Sequence, residues 1–129
     1  MMKKMNTNNT CACGKAPKLI FSCSGASDVG EIADRSARKL SLDKAGKMYC
    51  LAGIGGNVSG IIKNTEAACG ILAIDGCSVK CAARTLEAGG FNSFKHIVVT
   101  EIGMEKGKSP VTEEKISIIA EKGKELLNL

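Results

Sequence analysis

Tryptophan is absent from this chain, tyrosine occurs once and phenylalanine three times. The net charge of +5 therefore lacks the aromatic platforms on which bases stack, and the lysines are scattered among Asp and Glu rather than gathered on one stretch. Nucleic acid is not the expected partner. No apolar run approaches the length of a membrane span, so no membrane partner is expected. Residues 1 to 18 contain no apolar h-region before Cys11, so no secretory signal is expected and the natural setting is the cytoplasm. Histidine occurs once, at His96, a surface or edge position rather than a ligand.

Cysteine is abundant: seven in 129 residues, an odd number. A chain of this length buries roughly two thirds of its unfolded surface and needs no crosslinks to hold a core. In a reducing compartment those thiols are better suited to metal binding or reactivity than to disulfides. With 44% hydrophobic and 24% charged residues, the chain has the composition of an ordered globular protein.

Apolar runs alternate with amphipathic segments. Lys18 to Ser22 is a short β-branched and aromatic run ending at Cys23-Ser24-Gly25. Asp28, with Glu31 three residues on, predicts a capped helix with Ile32, Ala33, Ala37 and Leu40 inward. Met48 to Ala52 predicts a second strand, with Cys50 inside it, closed by the glycine-rich Gly53-Ile54-Gly55-Gly56. A weaker helical pattern covers Ser59 to Ala68. Gly70 to Ile74 is a continuous apolar run, as in a strand covered on both faces. Val79, Ala82, Ala83 and Leu86 mark a helix that stops at Gly89-Gly90, His96 to Thr100 a fourth strand, and Pro110-Val111-Thr112 introduces a last helix.

This pattern predicts an α/β fold. One three-layer domain spans residues 17 to 129, with a mostly parallel four-stranded sheet in the order 2-1-3-4 and helices on both faces. Residues 1 to 16 form a flexible arm carrying Cys11-Ala12-Cys13. The switch in strand order falls between strands one and three, and ligands in such sheets bind near it, at the carboxyl ends of the strands.

Cys23 ends the first strand and Cys77 follows the third, at Ile74-Asp75-Gly76-Cys77-Ser78-Val79-Lys80-Cys81. If Ser78 opens a helix, Cys77 sits in the turn at its N-terminus and Cys81 lies one turn on. Cys50 comes from the neighbouring strand. These four thiols suit zinc or a similar soft ion, closed as a structural site or left open for chemistry. Zinc held by four thiolates lowers the net charge from +5 to about +3.

Together, Ile74-Asp75-Gly76-Cys77, Cys81-Ala82, Cys23-Ser24-Gly25, Cys50-Leu51-Ala52-Gly53 and the Thr100 to Gly103 turn with Lys106 resemble the bacterial and archaeal DGC-motif family. That family is named for its central Asp-Gly-Cys, and four cysteines are proposed as its zinc ligands. The resemblance implies Cys23, Cys50, Cys77 and Cys81 as ligands of one zinc ion. It supplies no reaction, no catalytic residue and no protein partner. Ser78 stands where relatives often have proline.

Two alternatives remain open. One is a thiol-dependent redox enzyme with Cys77 as nucleophile and Cys81 resolving. The other is metal trafficking, with the Cys11/Cys13 arm delivering an ion to the core. Cys69, ahead of the third strand, reads as an inert packing residue, and His96 as a surface or edge residue. Asp75 orients its turn through an Asx bond or sits behind the metal ligands. Gly103 to Ser109 has three residues between its glycines where a phosphate loop needs four, Cys77 to Arg84 is one residue too long for a phosphatase loop, and Gly53 to Gly56 lacks a dinucleotide motif's third glycine. Each reads as a turn.

Overall fold

The computed structural model describes residues 16 to 129; the arm and its Cys-x-Cys lie outside the described residues. Four parallel strands, β1 (Lys18–Ser22), β2 (Lys47–Met48), β3 (Gly70–Asp75) and β4 (Lys95–Val98), form one sheet in the order β2-β1-β3-β4. The order and the parallel direction agree with the sequence expectation. β1 and β3 run side by side over five residue pairs, Lys18 opposite Gly70 through Ser22 opposite Ile74.

Alternation along the central strands divides two cores. Ile20, Leu72 and Ile74 point to the face covered by α1 (Asp28–Leu42) and α5 (Glu113–Leu127), where they meet Ile32, Leu40 and Ile119. Leu19, Phe21 and Ala73 point to the other face, against α2 (Leu51–Gly55), α3 (Ser59–Glu66) and α4 (Cys81–Ala88), where Ile54 and Leu86 join them. Because both faces are covered, the strands read as continuous apolar runs. Among the described residues, no helix is long and apolar enough to cross a membrane.

Several elements differ from expectation at their ends, and those ends carry the thiols. The second strand stops at Met48, and the glycine-rich stretch after it coils into α2. Cys50 is therefore not inside a strand but the N-cap residue of α2, past the strand's carboxyl end. The cap of α1 is Ser27, whose hydroxyl accepts from the Gly30 amide at 3.0 Å, and Asp28 is the first helical residue. β4 is shorter than expected and passes into a 3-10 turn at Val99–Glu101. Ser78 does not open α4. Lys80, at φ 60°, precedes it, and Cys81 is the first helical residue.

Candidate functional site at the carboxyl edge of the sheet

The site starts from a buried carboxylate. Asp75 ends β3 and is fully buried. Its Oδ1 accepts from the Ala82 amide at 2.7 Å and its Oδ2 from the Ala83 amide at 3.1 Å, so it satisfies two orphan N–H groups in the first turn of α4. A helix preceded by a left-handed lysine with no capping side chain of its own is thus capped from the strand before it. Oδ2 also lies 2.8 Å from His96 Nε2 on the neighbouring strand. A carboxylate only accepts, so that ring nitrogen carries the proton. Asp75 therefore ties β3, β4 and α4 together. This corrects one expectation, since the carboxylate works on the helix rather than through an Asx turn; His96 does lie on an edge strand, where it is half-buried and partnered by Asp75.

Gly76 follows because nothing larger fits. A Cβ there would stand 2.7 Å from the Gly30 amide nitrogen and 2.8 to 2.9 Å from the carbonyl of Val29, all backbone of α1's first turn. Its own carbonyl accepts from Thr100 N at 3.2 Å, which draws the end of β4 to the same place. The Asp-Gly pair thus presses three elements together and delivers Cys77 to their junction, packed half-buried against the α1/α5 core.

Cys23 leaves β1 beside this turn, its amide donating to Ile74 O at 2.9 Å. Its thiol faces the N–H groups of Gly25 and Gly76. Burial pushes its pKa up, the two amides oppose that, and the charges of Cys81 and Asp75 add to the rise. The net direction is upward. Cys81 is exposed on the first turn of α4, within electrostatic range of Cys23.

A loop from across the fold closes this edge. The Asp28 carboxylate accepts from the amides of Gly107 and Ser109, both at 3.0 Å, and from Val29 N at 2.8 Å. Those amides hold its pKa below the usual carboxylate range. Gly107 takes φ 86°, the left-handed conformation that glycine adopts without strain, and aims its N–H at the carboxylate. The clamp carries Lys106, whose Nζ stands 3.9 Å from Cys77 Sγ. The segment expected to be a plain turn is a carboxylate-binding loop. Asp28 and Gly107 are 79 residues apart, so local sequence carried no sign of it.

Of the four expected ligands, Cys23 comes next to the turn bearing Cys77 and within range of Cys81. Cys50 stands exposed at the start of α2. All four are unbridged thiols. Their donor type suits a soft ion, and so does their position after β1, β2 and β3. Their spacing is open: among the described residues, no group of three or more Cys, His, Asp or Glu stands close enough together to hold a metal ion.

Fold and site together define a small parallel α/β protein with several free thiols spread along the carboxyl edge of its sheet. The DGC domain family matches residues 19–122, and the chain belongs to that family. It is also 32% identical over 88 residues to the anaerobic and virulence modulator AnvM of Pseudomonas aeruginosa, which covers 68% of this chain and 67% of that protein. No solved structure matches the chain.

Proposed function

We propose that this protein binds one soft metal ion, zinc being the first candidate, through Cys23, Cys77 and Cys81, with Cys50 as the fourth donor. The observation that carries the reading is the Cys23 thiol, set between the amides of Gly25 and Gly76, one residue from Cys77 and within charge range of Cys81. A bound cation offsets the burial that disfavours the Cys23 thiolate, and it couples the loops after three strands. Because no three donors stand close enough together, uptake requires the thiols to move closer to one another. The relative named a modulator supports a regulatory rather than a metabolic role, and a reducing cytoplasm would keep the thiols available.

Zinc content of the full chain and of the four single Cys→Ser variants tests this. Stoichiometric zinc that falls in each variant, steepest for Cys23→Ser and Cys77→Ser, is the expected result. A second reading, thiol redox chemistry with Cys77 attacking and Cys81 resolving, is favoured by the Lys106 ammonium beside Cys77. Metal-free protein in which Cys77 alone is rapidly alkylated would replace the metal reading with that one.

A further inference from the structure

One turn of helix brings an amine and a thiol together. Asp28, the first residue of α1, holds the amides of Gly107 and Ser109 on its carboxylate, and the next two residues, Val29 and Gly30, present the backbone against which Gly76 is pressed. The loop that carries Lys106 is tied further by the Glu105 amide, which donates to Ser109 Oγ at 2.8 Å, and by the Lys108 amide, which donates to Glu105 O at 3.0 Å. Met104 anchors its start in the α1/α5 core. On the other side Cys77 follows Gly76, and its carbonyl accepts from Lys80 N at 3.1 Å. Both backbones are therefore mounted on the same three residues of α1. The 3.9 Å contact between Lys106 Nζ and Cys77 Sγ rests on that common base.

No acid competes for the amine. Among the described residues no carboxylate pairs with Lys106, whereas its neighbour Lys108 reaches Glu105. Lys106 is exposed and Cys77 half-buried, so a small polar oxidant reaches both groups. An amine tethered beside a thiol also reacts with it as part of one molecule, ahead of any free amine or thiol in solution.

We propose that Cys77 and Lys106 are a modification site at which peroxide builds a covalent sulfur–oxygen–nitrogen link. The Cys77 thiolate attacks one peroxide oxygen, the O–O bond breaks, and Cys77 sulfenic acid and hydroxide form. The Lys106 ammonium gives up a proton that neutralises the hydroxide to water. An N–O bond then replaces one N–H of the amine and the O–H of the sulfenic acid, and the two electrons released reduce a second peroxide to two waters. An inserted oxygen spans more of the gap between the two side chains than a direct sulfur–nitrogen bond would, so the Asp28 clamp stays closed. The link consumes the thiol and the lysine charge together. It requires no bound ion and goes beyond the metal reading.

Hydrogen peroxide treatment of the reduced full chain, stripped of metal by a chelator, tests the proposal. Intact mass should rise by one oxygen less two hydrogens, peptide mapping should join the Cys77 and Lys106 peptides, and dithiothreitol should reverse both. Lys106→Arg keeps the positive charge but offers no amine; it should abolish the link and send Cys77 on to sulfinic acid, while Cys81→Ser should still form the link. Asp28→Ala, its fold checked by circular dichroism, should slow the linking several-fold. A product two hydrogens lighter than the reduced chain, whether a disulfide from Cys77 to Cys81 or a direct bond to Lys106, would overturn the proposal, as would oxidation of Cys77 with Lys106 unmodified. Linking as fast in Asp28→Ala as in wild type would overturn the common base on which the argument stands. The assay contains no metal, so its failure leaves the zinc measurements on the Cys→Ser variants to decide the metal reading separately.

Discussion

Replacing Asp75 is the sharpest perturbation of this architecture. In Asp75→Asn the Oδ1 position still accepts from Ala82 N, but an amide nitrogen now faces the Ala83 N–H, donor against donor. His96 adapts by moving its proton and accepting from the new amide. The net loss is one hydrogen bond to a charged, fully buried acceptor, about 1.5–3 kcal/mol. Asp75→Ala removes the helix cap and the His96 partner together and leaves three donors facing an apolar side chain. Summing a cap of about 1 kcal/mol with an unpaired buried donor or two gives roughly 3–5 kcal/mol. That is a large part of the stability of a domain this size. Denaturant unfolding should show the midpoint falling in the order wild type, Asn, Ala with the slope unchanged. His96→Ala, which leaves both amide bonds in place, should cost less than Asp75→Asn. If Asp75→Ala unfolds within about 0.5 kcal/mol of wild type, the carboxylate does not hold α4 and the argument for it is wrong.

Gly76→Ala should be destabilising by about 1–3 kcal/mol, because the added carbon meets backbone of α1 that no rotamer change can move; thermal melting checks it, and a melting temperature equal to wild type would contradict the close approach. Asp28 is held below its ordinary pKa, so its contribution is present above the usual carboxylate range and is lost as pH falls through the depressed folded value. The Gly107 and Ser109 amide resonances should therefore stay fixed through mildly acid pH and shift only below it, and Asp28→Asn should abolish that transition. Lys106→Ala should leave the fold intact, since the side chain is exposed, and should slow alkylation of Cys77 while sparing Cys81; equal rates in both proteins would remove Lys106 from the site.

Much of the frame was legible because it rests on local pattern. The runs Lys18 to Ser22 and Gly70 to Ile74 announced doubly covered strands, and right-handed crossovers then allowed few orders for four parallel strands. The failures sit at element ends. Met48 to Ala52 looks like one strand by composition, yet the last backbone bond to β1 is from the Tyr49 amide to Ile20 O at 2.8 Å, and beyond it the chain coils into α2. Asp28 with Glu31 has the spacing of a capping box, but Ser27 was one residue nearer the entry and took the cap. Propensity could not choose between neighbours one residue apart.

By itself the sequence determined the sheet and its order, because hydrophobic periodicity and chain reach fix those regardless of detail. Only the tertiary structure decided what holds the carboxyl edge in shape. Asp75 with His96, and Asp28 with the Gly107 and Ser109 amides, join residues 21, 79 and 81 positions apart through a few polar contacts. Such contacts leave no periodic trace, since a few bonds between distant polar groups constrain nothing in the residues between them.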